Sequence, residues 1–178
     1  LTAIVFSAVG DGARPGFVGG SQAAVRFDGI DDQLSMAAAT SPVTVFIVNR
    51  MTSTAQSLAG IWGSTSPGDK GIRRDTTKTV WQSGDQNDFA HPERQIYVNG
   101  TQTSDFGTVD STHLLTAVRG SSFTASAATL KNAQLGFYFA ARNYAGDIAE
   151  VVVYNRKLTD TERNSVESFL SAKWSVQV

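Results

Sequence analysis

Hydrophobic positions in this chain come in short bursts, each a few residues of Val, Ile, Phe, Leu or Thr, cut off by clusters of Gly, Asp, Ser and Asn. That pattern predicts short strands joined by turns, as in an all-β sandwich or barrel. Seven strands follow from it: AAVRFDG (23–29), VTVFIVNRM (43–51), KTVWQSG (78–84), RQIYVNG (94–100), HLLTAVRG (113–120), AQLGFYFAAR (133–142) and DIAEVVVYN (147–155). Asn99 and Gly100 can both adopt positive φ, so they predict a two-residue hairpin turn. With Thr101 they also spell a glycosylation sequon, which the hairpin explains without modification.

The periodicity changes once, at the C-terminus. In LTDTERNSVESFLSAKW, Thr159 and Glu162 have capping-box spacing and predict a helix start. Val166, Phe169, Leu170 and Lys173 to Trp174 then recur at spacings near 3 and 4, predicting a stripe against a sheet, with Glu162, Arg163, Asn164 and Glu167 facing water. Ser/Thr/Ala-rich RGSSFTASAATLKN (119–132) reads as a connecting loop, and no internal repeat is evident.

A chain of 178 residues fits one domain over residues 1–178, large enough to bury roughly two-thirds of its unfolded surface. Lys and Arg number 15 against 16 Asp and Glu, without a long run of either sign, so neither nucleic acid nor an anionic membrane is an expected partner. No apolar stretch approaches the roughly 20 residues of a membrane span, which argues against membrane insertion. Cysteine is absent, and thiol nucleophiles, disulfides and thiolate metal sites with it. The chain opens on Leu1, as expected of one part of a longer protein.

AAVRFDGIDDQLSM, IYVNG and above all GDIAEVVVYNRKLTDTERNSVESFLSAKW resemble the concanavalin A-like lectin/glucanase superfamily in its LamG-like branch, from about Arg14 to Trp174. The resemblance implies a two-sheet antiparallel jelly-roll sandwich in which a short helix after the last long strand packs at the sandwich edge. One departure stands at the start: RPGF (14–17) has only thirteen residues before it, where members place an opening strand and a longer turn. Either TAIVFSAV (2–9) is that strand, or the beginning is missing.

Glucan-cleaving members resemble one another in an E-x-D-x-x-E or E-x-D-x-E strand, absent here. The four glutamates are Glu93, Glu150, Glu162 and Glu167, the last two on the predicted helix. Asp147 and Glu150 are three positions apart, so strict alternation sends them to opposite faces of the last strand and denies them the role of a catalytic pair. His113 opens a strand and reads as structural, whereas His91 lies in a Pro-bearing loop that could touch a ligand. HExxH, P-loop, GxGxxG and nucleophile-elbow motifs are missing, so no enzymatic activity is expected.

The residues best suited to a ligand gather in GDKGIRRDTTKTVWQSGDQNDFAHPERQ (68–95): Arg73, Arg74, Trp81, Gln82, Asp85 and His91. Sugar rings stack on aromatic faces while their hydroxyls pair with such polar groups. A hairpin turning at Asp75 to Lys78 would bring Arg73 near Trp81, with Ile72 and Val80 toward the core; core packing is the competing account of Trp81. Arg142, Asn143 and Tyr144 form a second candidate wall, and Trp62 reads as core or edge packing. Calcium needs several oxygen ligands, and the resemblance implies one structural ion; Asp28, Asp31 and Asp32 offer one set, Asp85, Asn87 and Asp88 another, with turn formation the competing role for both.

These features predict a noncatalytic carbohydrate-binding, lectin-like module for a polysaccharide or glycan, extracellular or at a cell surface. Its rival is a structural or adhesion domain of a virion, filament or surface assembly, whose partners are neighbouring domains or subunits; a divergent polysaccharide hydrolase or lyase stands third.

Overall fold

The computed structural model describes residues 6–8, 16–18, 23–36, 43–53, 58–64, 71–74, 81–83, 95–103, 105, 108–118, 133–137 and 142–178. Within these residues the protein is mostly β, with two antiparallel sheets and one C-terminal helix.

The strands, in chain order, are β1 (Phe6–Ala8), β2 (Gly16–Val18), β3 (Ala24–Asp28), β4 (Leu34–Met36), β5 (Thr44–Met51), β6 (Gly60–Ser64), β7 (Ile72–Arg74), β8 (Trp81–Ser83), β9 (Gln95–Val98), β10 (Thr101–Gln102), β11 (Thr112–Val118), β12 (Ala133–Leu135) and β13 (Ala145–Tyr154). They form a six-stranded sheet in the order β1-β4-β12-β6-β7-β8 and a seven-stranded sheet in the order β10-β9-β11-β5-β13-β3-β2. The longest apolar runs became the centre of the second sheet, where β5 pairs with β11 and β13 along its length. Inward residues of β5, β9, β11 and β13, such as Ile47, Ile96, Leu115 and Ile148, meet Ile61, Trp62, Ile72 and Leu135 of the other sheet in one buried cluster. Trp62 is therefore core.

Local turn chemistry holds where it was expected. Asn99 (φ 51°) and Gly100 (φ 73°) join β9 to β10 as a two-residue turn. The Asn99 side chain is committed there: its Oδ1 accepts the Leu114 N–H at 2.9 Å, so its Nδ2 faces His113 Nδ1 at 3.4 Å. His113 Nε2 lies 3.0 Å from the Thr108 carbonyl. The neutral tautomer with hydrogen on Nε2 satisfies both contacts, which gives His113 the structural role its position suggested. Of the strand predicted over 133–142, β12 ends at Leu135, where Gly136 takes φ 78° and a Cβ would lie 2.1 Å from the Phe27 ring; residues 138–141 lie outside the described residues.

The helix α1 (Asp160–Trp174) starts as read. Thr159 caps it, accepting from the Glu162 N–H at 3.3 Å, and Glu162 accepts the Thr159 N–H at 2.9 Å. Arg156 adds a bidentate pair that helps hold the Glu162 carboxyl down to about 2. Its orientation differs from the expected stripe. Phe169 is 63% exposed, whereas Arg163 and Glu167 are buried with Leu170. The cause lies in the sheet beneath: the outward residue of β9 is Tyr97, and the Arg163 guanidinium stacks 3.6 Å above its ring. Glu167 pairs with Arg163 at 3.5 Å, so the buried charges come as a pair. Leu170, Leu158 and Val176 meet Phe46, Val48 and Leu114 in a second cluster on this outer face.

Candidate ligand cleft on the outer face

Register across the seven-stranded sheet builds a polar row that no short stretch of sequence contains. Thr112 of β11 pairs with Arg50 of β5, Arg50 with Asp147 of β13, and Asp147 with Arg26 of β3. Directly paired residues share a face, so the four stand side by side on the outer surface. Arg26 Nε donates to Asp147 Oδ1 at 2.7 Å and its Nη2 to Oδ2 at 3.0 Å; Arg50 Nε reaches Oδ2 at 3.1 Å and its Nη2 at 2.9 Å. Burial alone would raise the Asp147 carboxyl, but the Arg26 hydrogen bonds and the charges of Arg26 and Arg50 outweigh it and hold Asp147 below the usual carboxylate range.

A bulge decides what stands next to this row. The register of β13 against β5 shifts between Ile148 and Glu150, leaving Ala149 as the extra residue. Alternation restarts after it, so Asp147 and Glu150 share the outer face instead of taking opposite ones. Both Ile148 and Val151 still reach the core. Glu150 accepts from the Trp174 indole N–H and pairs with Lys173 Nζ at 2.9 Å. These bonds anchor the last turn of α1 to β13 and set the half-buried Trp174 as a wall.

Between that wall and the polar row lies a solvent-open cleft of about 210 Å³, lined by Ala24, Arg50, Thr112, Asp147, Ala149 and Trp174. It is smaller than the roughly 300–1,000 Å³ that encloses a drug-sized ligand, and it suits one ring of a larger molecule. Small Ala24 and Ala149 leave the floor open. The wall, the hydroxyl of Thr112 and the guanidinium of Arg50 supply the mixture of apolar face and hydrogen-bonding groups that a sugar ring uses.

The residues picked from sequence fare differently. Tyr144 is fully buried, donates to Asn49 Oδ1 at 3.1 Å and packs edge-on against Phe27; burial lifts its phenol well above its ordinary range. It offers no face to a sugar. Asn143 is buried and donates through Nδ2 to the Ile30 carbonyl, and Arg142, half-buried, gives its carbonyl to the Gly60 N–H at 2.9 Å. Arg73 and Arg74 are buried on β7, and the register pairs Arg74 rather than Arg73 with Trp81; the turn expected at 75–78 lies outside the described residues. Arg73 is paired with Gln82, while Ile72 enters the core as read. Asp85, Asn87, Asp88 and His91 lie outside the described residues.

Asp28, Asp31 and Asp32 do come together, with one carboxylate oxygen of each within 4.8 Å of the others. Two of their oxygens already serve the loop: Asp28 Oδ1 accepts the Ile30 N–H at 2.7 Å and Asp32 Oδ2 the Asp28 N–H at 2.7 Å. Asp28 and Asp31 are exposed and Asp32 is buried; burial raises the Asp32 carboxyl, and the neighbouring aspartate charges add to that rise. The cluster can offer a hard cation its remaining oxygens, fewer than the six to eight that calcium takes.

Comparison with known proteins finds no family model, no curated protein and no solved structure that matches the chain. Among the described residues, no helix is long and apolar enough to cross a membrane.

Proposed function

We propose that the chain is a noncatalytic carbohydrate-binding module, a LamG-like jelly roll of the concanavalin A-like class acting outside the cell or at its surface, and that it takes a sugar ring in the outer-face cleft. The observation that carries this reading is the cleft itself, where Trp174 faces a cross-strand row of Thr112, Arg50 and Asp147. The sequence resemblance and the two antiparallel sheets support the same class.

The chemistry of the site favours binding over turnover. Asp147 is held ionised between two guanidiniums, so it is a poor proton donor, and Glu150 is engaged by Lys173 and the Trp174 indole. A retaining glycosidase needs one carboxyl free to attack and another able to give a proton. The engagement of Asp147 and Glu150, the two described carboxylates beside the cleft, supports the binding reading. A calcium ion at Asp28, Asp31 and Asp32 belongs to the proposal as a structural addition, because a cation would offset the burial, and the added repulsion of Asp28 and Asp31, that raise the Asp32 carboxyl.

Affinity electrophoresis against a panel of soluble polysaccharides, with calcium and with chelator, tests the reading. Retardation by at least one polysaccharide, lost on Thr112→Val with the melting temperature kept, supports the cleft. Free migration of the folded protein through every gel overturns glycan binding and shifts the weight to an assembly domain. If chelator changes neither retardation nor melting temperature, the calcium addition falls.

A further inference from the structure

The cleft carries more positive charge than its architecture uses. Among the described residues, the charged side chains in the cross-strand row and at the Trp174 wall are Arg26, Arg50 and Lys173 against Asp147 and Glu150, which leaves one cation in surplus. Lys173 and Glu150 answer one another, so the surplus belongs to the two arginines that share Asp147. Each guanidinium has five N–H donors. The bonds to Asp147 engage Nε and Nη2 of each arginine, and Nη1 of neither.

Exposure points the same way. The Asp147 side chain is 10% exposed, while those of Arg26 and Arg50 are 48% and 37% exposed. The negative charge is thus sunk beneath the positive ones, and an approaching ligand meets donors first. Tying β13 to one neighbouring strand takes one arginine, and the second ties it to the strand on the other side while leaving the row with a net positive charge. The second arginine adds attraction for an anion and a fork whose geometry matches a planar carboxylate.

We infer that the cleft selects acidic glycans, those whose sugar ring bears a carboxylate, with Arg50 as the residue that reads the uronate group and Arg26 as its electrostatic support. The inference rests on the glycan-binding reading of the same cleft. In the bound state the ring lies toward Trp174 and the Thr112 hydroxyl, and its carboxylate accepts from the Arg50 donors that Asp147 leaves unused. Asp147 stays in place and keeps Arg50 from swinging into solvent.

The test uses four polymers in the same gels at about 0.15 M salt, where long-range attraction is largely screened: polygalacturonate, polygalacturonate reduced at its carboxyl groups, a neutral glucan and dextran sulfate. The expected result is that polygalacturonate retards the protein roughly tenfold more strongly than its carboxyl-reduced form, the order of a lost charge-assisted hydrogen bond. Arg50→Gln should erase that difference, and Arg26→Gln should reduce it. Equal retardation by the native and reduced polymers overturns the inference but leaves glycan binding standing. Retardation by dextran sulfate equal to that by polygalacturonate overturns the carboxylate choice in favour of general anion attraction. Failure of all four, like failure of the wider panel, removes the glycan reading itself. Should Arg50→Gln unfold, the comparison of the two polygalacturonates on the unaltered protein still decides.

Discussion

The outer face of the seven-stranded sheet has two halves that treat the same chemistry in opposite ways. Over β9, β11 and β5, α1 covers the sheet and buries an arginine and a glutamate, Arg163 and Glu167, between its own backbone and Tyr97. Beyond the last turn of α1, along the row of Thr112, Arg50, Asp147 and Arg26, the sheet is open, and Asp147 lies between two arginines that face solvent. In the covered half the charges balance and are withdrawn from water; in the open half one cation is left over and available. An arginine beside a carboxylate therefore means packing in one place and, in the function we propose, recognition in the other, and burial is what separates them.

The comparison breaks most sharply by mutation of the arginines. Arg163→Ala strands Glu167 in a buried site and removes the stacking on Tyr97, so a loss of about 3–5 kcal/mol is expected in urea unfolding. A change under about 1 kcal/mol would place Arg163 in water and undo the contrast. Leu170→Ala empties part of the apolar cluster beneath α1 and should cost about 2–5 kcal/mol in the same measurement. Thr159→Ala breaks the capping box and should cost about 1 kcal/mol, with little effect if Arg156 alone holds Glu162 in place. On the open side, Arg26→Ala leaves Asp147 paired with Arg50, and the expected loss is the smallest of the four, shrinking as salt is added.

Acid titration of stability sharpens the contrast, because Asp147 of the open row and Glu167 of the covered half shift in opposite directions. Asp147 is held low, so its stabilisation is present above the ordinary carboxylate pKa and disappears as pH falls through its depressed value. Glu162 behaves likewise, losing its contribution between its ordinary value near 4.5 and about 2. Burial raises Glu167 against the pull of the Thr116 hydroxyl and of Arg163, so its contribution is present below the ordinary value and lost as pH rises through the raised one. Glu167→Gln should accordingly be better tolerated at pH 7 than at pH 4. The same relative cost at both would show that Glu167 ionises as freely as in water.

Much of the open half's meaning was out of reach of local pattern. Thr112, Arg50, Asp147 and Arg26 are scattered along the chain, and neither spacing nor motif links them. Periodicity took Asp147 and Glu150 to opposite faces because it counts every residue, and Ala149 is a residue that the sheet does not count. The burial of Tyr144, Arg73 and Arg74 was equally hidden, since a polar tip makes a core residue read like a ligand contact when its neighbours are unknown. The one partial signal for the cleft was Trp174 at the end of an amphipathic helix that follows a strand bearing Asp147 and Glu150.

Sequence by itself determined the β class, the central strands β5, β11 and β13, the Asn99-Gly100 hairpin and the capped start of α1. Those depend on alternation, backbone preference and hydrogen bonds among near neighbours, all of which are present in a few consecutive residues. Tertiary structure alone decided the pairing register, the bulge at Ala149, the face that α1 buries and the cleft that results. Each of those is set by contacts between residues dozens of positions apart, and in a sheet a single added residue moves every later side chain to the other side.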